Sequence, residues 1–279
     1  MKILVIGSGG MLGYVTYQYL NSQHYEVTGI TRTKKYPGII CLDATNQMLM
    51  EAFLKKTSFD VIINCAAFLV KASEERKSTA VKINTWLPHY LREFCEQHDK
   101  YLIQVSTDGV FSGKTGGYQE QSLSDADTFY GKSKFLGEVV GNNALTIRSG
   151  FWGADVNLTG DGLFQWFARQ EGKVFGYSKA VFNGVSNLEF AKFVISAIQN
   201  KWTGIYHLCA SDVISKYSFL NLEKTIFKKK AEIIANEKVL IDRSLVCTRN
   251  DIHYQQKNFS VMMTELRDWM AGRSEFTGA

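Results

Sequence analysis

Tyr130-Gly131-Lys132-Ser133-Lys134 sets a phenol and an ammonium four positions apart, which places them on one face of a helix. Of the thirteen tyrosines, only Tyr130 has a lysine four residues later. Reducing a ketone needs a hydride donor and a proton for the oxygen that becomes an alcohol. A free phenol, with a pKa near 10, is a slow donor and a poor base at neutral pH. An ammonium about 4–5 Å away favours the phenolate, so Lys134 is expected to lower the pKa of Tyr130 and to hold ribose hydroxyls of a cofactor. Upstream, Ser106-Thr107-Asp108-Gly109 follows an apolar run. A hydroxyl of Thr107 or Ser106 there can hydrogen-bond a substrate carbonyl and orient it for Tyr130. Turn capping is the commoner use of such hydroxyls. Together, the two segments specify more than either alone.

A second constellation lies at the start of the chain. Gly7-Ser8-Gly9-Gly10-Met11-Leu12-Gly13 carries glycines at 7, 10 and 13 between an apolar run and a helical one. A sharp turn, a close approach to a diphosphate and tight packing of the helix each favour a residue without Cβ. The N–H groups of the helix start at Met11, Leu12 and Gly13 then face the phosphates. This is the fingerprint of a dinucleotide site. The end of the second strand reads Thr31-Arg32-Thr33-Lys34-Lys35, without the acid that would hold the ribose hydroxyls of NAD. Arg32 can pair with a 2′-phosphate, so NADPH is the expected cofactor and NADH a weaker one.

The elements that must position these residues alternate. Lys2–Ile6 reads as a strand buried on both faces, Met11–Asn21 as a helix, Tyr25–Thr31 and Gly38–Leu42 as strands. Then come a helix over Asn46–Lys56, a strand over Val61–Cys65, and a long helix over Ala72–His98 with a kink or break at Pro88. A strand over Tyr101–Ser106, a helix over Asp127–Asn142 and a strand over Leu145–Arg148 complete the series. This order specifies an α/β fold, a doubly wound parallel sheet of Rossmann type. Beyond residue 150, short strands near 174–177, 181–182, 205–209 and 239–241 mix with helices near 187–200, 215–227 and 259–271. They are expected to form a small mixed α+β substrate-binding cap, partly interleaved with the main sheet. The expected division is 1–150 for the cofactor and 151–279 for the substrate. Trp152, Phe164, Trp166 and Phe167 are candidates for the pocket wall, although aromatics at this spacing more often belong to the core. The polar tail from Gly272 to Ala279 is expected to be loosely held.

Composition narrows the function classes. With 279 residues, 45% of them apolar, the chain can bury a large core. A net charge of +5 is mild and dispersed, and its densest run is the lone triplet Lys228-Lys229-Lys230. That argues against nucleic acid and is compatible with an anionic small ligand. Five cysteines without a C-x-x-C pair fit a reducing cytoplasm, and five histidines without ligand spacing give no reason to expect a metal. The first strand begins at the N-terminus, and the longest apolar stretch, Val61–Val70, is too short to span a bilayer. Neither a signal peptide nor a membrane segment is therefore expected.

On these residues the chain resembles the extended short-chain dehydrogenase/reductases, and within them the dTDP-4-dehydrorhamnose reductase family. The resemblance rests on the glycine turn, Asp60-Val61-Ile62-Ile63-Asn64-Cys65-Ala66-Ala67, Asn84 with Pro88, Ser106 to Phe111, Tyr130 to Lys134, and Gly137-Glu138. It implies Tyr130 as proton donor, Lys134 as the ribose-holding partner and Thr107 as the third catalytic group. Ala66 and Ala67 would line the cofactor crevice, and Asp43 would approach the adenine. Ser106, Asp108 and Trp152 would meet the substrate. The implied reaction is NADPH-dependent reduction of the C4 ketone of a nucleotide-linked 6-deoxyhexose, with the sugar nucleotide as partner and a homodimer as an allowed assembly. Two departures stand out: Gly109 where the family has tyrosine, and a segment after Arg148 that is one residue shorter. Both leave room for a bulkier sugar, such as a UDP-linked 2-acetamido sugar. A sugar-nucleotide epimerase and a non-catalytic NAD(P)-binding regulatory subunit are the alternatives. Gly109 supplies no acid for dehydration.

Overall fold

Strand β1 (Lys2–Ile6) buries Ile3 and Val5 on one face and Leu4 and Ile6 on the other, and this alternation organises the molecule. The computed structural model describes residues 1–33 and 36–276. Lys34 and Lys35 of the expected basic loop, and the last three residues of the expected polar tail, lie outside these. After β1 come α1 (Met11–Ser22), β2 (Glu26–Thr31), β3 (Ile39–Cys41), α2 (Gln47–Lys56) and β4 (Val61–Asn64). Asn46 caps α2 by accepting from the Leu49 N–H.

The expected long helix is broken. It divides into α3 (Val70–Glu75), α4 (Lys77–Ala80), a π-helical turn (Val81–Trp86) and α5 (Leu87–Gln97). Pro88 follows directly on the π-helical turn in a backbone that stays right-handed helical across Trp86 and Leu87, so the widened turn accommodates its missing N–H and the helix is not broken there. Arg76, at φ −132° and ψ 70°, makes the break. Strand β5 (Tyr101–Val105) follows, then a single 3-10 turn (Asp108–Val110), α6 (Phe129–Leu136) and β6 (Ala144–Arg148). Helix α6 stops well short of the expected Asn142. Gly137 ends it against the π-helical turn, where a Cβ would lie 1.8 Å from the Asn84 carbonyl oxygen.

The remaining elements are α7 (Leu163–Ala168), β7 (Lys173–Tyr177), β8 (Ala180–Phe182), α8 (Asn187–Asn200), β9 (Gly204–His207) and β10 (Ile214–Ser215). They continue with α9 (Lys216–Ile226), β11 (Glu232–Asn236), β12 (Ile241–Asp242) and α10 (Phe259–Met270). Helix α7 and strands β10 and β11 are additions to the expected set. The piece expected at 239–241 is β12.

Among the described residues, seven strands form one sheet in the order β3-β2-β1-β4-β5-β6-β9, every neighbouring pair parallel. The fold is thus the expected doubly wound one. Strand β9 pairs Tyr206 with Ile147 and His207 with Arg148, so the later half of the chain supplies an edge of the main sheet. One core cluster packs α1, α8 and α10 on one face, and a second packs α2 and α5 on the other. Two small sheets, β10-β8-β12 and β11-β7, carry the cap. The strand order reverses between β1 and β4, and a ligand crevice is expected beyond the carboxyl ends there.

Candidate active site

The glycine turn is built by contact rather than by composition alone. Gly7 sits at φ +81°, and its N–H and that of Ser8 donate to the Ile30 carbonyl at 3.0 and 3.1 Å. A Cβ on Gly13 would lie 2.3 Å from the Gly7 oxygen, so the start of α1 can lie against the turn only with glycine there. Gly10 caps α1 without a side-chain bond, and the first turn holds no acid. The uncapped N–H groups of Met11, Leu12 and Gly13 therefore suit a diphosphate, and a Cβ on Gly10 would meet nothing closer than the Gly7 oxygen at 3.5 Å.

One cleft of about 1320 Å³ runs from this turn past Thr31, Arg32 and Asp43, along Ala66 and Ala67, to Thr107, Asp108, Tyr130 and Lys134. It exceeds the usual volume of a single small-molecule pocket, about 300–1,000 Å³, and has room for a dinucleotide with a second ligand. Ser106 and Trp152 also border it, so every residue expected to serve catalysis or the cofactor, with Ser106, Asp108 and Trp152, lies on one cavity. Ala66 presses against the glycine turn, where a Cβ on Gly7 would lie 2.8 Å from its nitrogen. Asp43 is engaged in its own turn, accepting from the N–H and the hydroxyl of Thr45 at 2.9 and 2.8 Å through Oδ1.

Tyr130 and Lys134 share a face of α6, whose start is capped by the Thr128 hydroxyl accepting from the Gly131 N–H at 3.1 Å. They do not interact as the spacing predicts. Lys134, only 2% exposed, donates from Nζ to the Val105 carbonyl at 2.6 Å. Burial brings its pKa down to about 8, with Glu138 and Cys65 pulling the other way. The Tyr130 phenol is pushed up to about 12, chiefly by burial, against a hydrogen bond with Thr107; Asp108 raises it and Arg243 lowers it. The expectation that Lys134 acidifies the phenol is therefore corrected. The ammonium reaches the end of β5, and the cation that acts on Tyr130 is Arg243.

Thr107 accepts from the Gly109 N–H at 3.0 Å and donates to Asp108 Oδ1 at 3.2 Å. Burial raises the pKa of Asp108, and Arg243, Thr107 and Lys216 oppose that rise. Ser106 is spoken for: its hydroxyl donates to Glu138 Oε1 at 2.6 Å. Trp152, 2% exposed, donates to the Gly184 carbonyl and packs on Phe219 and Phe259, so most of its ring belongs to the core. Phe164 and Phe167 are buried at 3% and 0%, and neither they nor Trp166 borders the cleft. These aromatics follow the core alternative.

Beneath the site, Arg148 forms a two-pronged pair with Glu138 at 2.8 and 2.6 Å, and its Nη1 donates to the Glu120 carbonyl at 3.0 Å. Two groups on the cleft were given no site role from the sequence. They are Lys216, the first residue of α9, and Arg243, just after β12. Each is an ordinary basic residue in its local sequence, and tertiary folding alone brings them to Asp108.

The family model described as RmlD substrate binding domain matches residues 1–238. The chain belongs to this family. A probable low-salt glycan biosynthesis reductase, Agl14, of Haloferax volcanii is 32% identical over 180 residues, which cover 60% of each chain. A dTDP-4-dehydrorhamnose reductase of Aggregatibacter actinomycetemcomitans is 34% identical over 140 residues, covering 49% of this chain and 45% of that one. The chain thus spans about half the length of these curated relatives. A Bacillus anthracis dTDP-4-dehydrorhamnose reductase solved with NADP superposes with a TM-score of 0.84 at 18% identity, covering 96% of this chain and 99% of that one. That likeness shows that this member of the family shares the fold.

Proposed function

We propose that this family member is an NADPH-dependent reductase of the C4 ketone of a nucleotide-linked 4-keto-6-deoxyhexose. The observation that carries the reading is the meeting of Tyr130, Thr107 and the uncapped glycine turn on one cleft. The relative named dTDP-4-dehydrorhamnose reductase supports the substrate class. The NADP in the Bacillus anthracis neighbour, with Arg32 on the cleft, supports the cofactor.

NADPH, when bound, supplies the hydride. The residues of the chain do the rest. The start of α1 holds the diphosphate, Arg32 takes the 2′-phosphate, and Ala66 and Ala67 form the wall. Lys134 holds ribose hydroxyls. Thr107 orients the ketone oxygen, and Tyr130 gives that oxygen its proton. The phenol is protonated at neutral pH, as a donor in the reducing direction must be; at about 12 it is a weaker acid than free phenol, and the nearby charge of Arg243 favours the phenolate that it leaves. Residues 1–150 serve the cofactor and 151–279 the substrate, the latter through Lys216 and Arg243.

A cytoplasmic setting agrees with five cysteines outside any disulfide, and a homodimer with the exposed apolar Phe135, Leu136 and Val140. No helix among the described residues is long and apolar enough to cross a membrane.

The room expected beside Gly109 is not open. Gly109 is buried and does not border the cleft, and a Cβ there would stand 3.3 Å from Thr107 Oγ1 and 3.5 Å from the Tyr130 ring, so it does not favour a UDP-linked 2-acetamido sugar over a dTDP-linked one.

The test is NADPH oxidation with dTDP- and UDP-linked 4-keto-6-deoxy sugars. Tyr130→Phe is expected to lower kcat by about 10²-fold or more while NADPH still binds. An unchanged kcat would refute the assignment. Consumption of one NADPH per product separates reduction from epimerisation.

A further inference from the structure

Asn187, the first residue of α8, is wholly buried where three segments meet. Its Nδ2 donates to the Met11 carbonyl at 3.1 Å and to the Ala154 carbonyl at 2.7 Å, and its backbone N–H donates to the Trp152 carbonyl at 2.8 Å. Two carbonyls around one atom fix the orientation of the amide. Oδ1 then faces Gly153, where a Cβ would lie 2.2 Å away, and it has no hydrogen-bond partner among the described residues. An unpaired buried acceptor is costly, and a leucine of similar volume would avoid that cost. Helix capping does not account for the amide either, because Ser186 already caps α8 by accepting from the Glu189 N–H at 3.0 Å. What distinguishes asparagine here is the pair of donors.

The two acceptors belong to opposite sides of the cleft. Met11 opens α1, and its N–H is one of those that suit the cofactor's diphosphate. Ala154 lies in the segment after β6, of which Gly150, Phe151, Trp152 and Asp155 border the same cleft. We propose that Asn187 is a positioning residue that holds the cofactor-side start of α1 and the substrate-side segment 150–155 in one pre-set relation, so that neither ligand has to impose it. The proposal rests on the ketoreductase reading, which gives each side its ligand, and goes beyond it.

Such a joint has a thermodynamic signature. With the amide in place, neither ligand bears the cost of ordering the two walls. Without it, the ligand that binds first must restore their relation, and the second finds it restored. The ordering cost then falls once on the pair of ligands rather than once on each. A coupling between cofactor and substrate that is weak in the wild type therefore grows when the donors are removed.

The experiment is calorimetric titration with NADP⁺ and with dTDP or UDP, each alone and each on protein saturated with the other. It compares the wild type with Asn187→Leu and Asn187→Asp, which keep the size of the side chain and lose its donors. Thermal melting verifies folding, and the leucine variant carries the test if an aspartate against two carbonyls does not fold. In the variants each ligand alone is expected to bind about tenfold more weakly, while the second to bind keeps its wild-type affinity. KM values for NADPH and the sugar nucleotide should rise with kcat at saturation little changed. Weaker NADP⁺ binding to the same degree with and without nucleotide would make Asn187 a local support of α1 and overturn the proposal. Unchanged affinities, or a lower melting temperature with no added coupling, would overturn it as well. So would a wild type that binds neither nucleotide. Intact binding cycles with no ketone reduced would sink the catalytic reading and still decide the role of Asn187.

Discussion

Lys134 is an ammonium that the fold would rather not charge. Its pKa falls from 10.5 to about 8 because its surroundings desolvate it. Between those values the unfolded chain binds more protons than the folded one, so stability rises with pH across that window and the penalty is complete below it. Lys134→Met is accordingly expected to stabilise the ligand-free protein at pH 7 by about 1–3 kcal/mol, an advantage that fades by about pH 10. Urea unfolding at both pH values measures it, and NADPH oxidation should fall in the same variant. The spacing of Tyr130 and Lys134 was plain in the sequence. The direction in which the lysine reaches was not, because the Val105 carbonyl that receives it belongs to a strand nearly thirty residues earlier.

At the scale of the element, α6 holds Tyr130 through close approach. A Cβ on Gly131 would lie 2.1 Å from the Gly109 oxygen and 2.8 Å from the Ala126 Cβ. Gly131→Ala must therefore push α6 off the Asp108–Val110 turn. We expect a loss of about 1–3 kcal/mol in stability and about 10²-fold in kcat, since the phenol leaves Thr107. Gly109→Ala, whose Cβ meets nothing closer than 3.3 Å, should keep both within a small factor. Thermal melts and kcat on the two variants check the contrast. Apolar periodicity located α1, α8, α9 and α10 to within one or two residues, because each lays a stripe on the core. It failed between residues 70 and 98 and after Leu136. There, the side chain of Asn84 is diverted from the helix to the backbone of Phe68 and to Ser133, and Gly137 is pressed against its carbonyl. Such long-range ties leave no period behind.

Across the whole molecule, a buried polar chain joins the main sheet to the C-terminal segment. Glu138 pairs with Arg148, whose Nη1 faces His207 Nε2 at 3.3 Å; Glu120 accepts from the His207 N–H and from Thr248. With Nδ1 donating to the Val246 carbonyl at 3.2 Å, Nε2 is left to accept from Arg148, so the ring is neutral. Burial and Arg148 hold His207 down to about 4 from 6.5, despite Glu120. The unfolded chain binds the extra proton between those values, so stability is lost as pH falls through that range, by about 1–3 kcal/mol. Unfolding free energies at pH 7 and pH 4.5 should show the loss, and His207→Gln should lessen it. The sheet and the cofactor turn could be read from the chain because their signals are local. Lys216 and Arg243 could not, since only the folded cap carries them to Asp108.

Strand β9 lies beside β6, yet enters the chain more than fifty residues after it, beyond α7, β7, β8 and α8. The half that serves the substrate is thus not a cassette. A chimaera joined at residue 150 would import a foreign edge strand, and with it a foreign partner for Ile147 and Arg148. New specificity in this scaffold should come more readily from point changes on the cleft wall than from recombination of its halves.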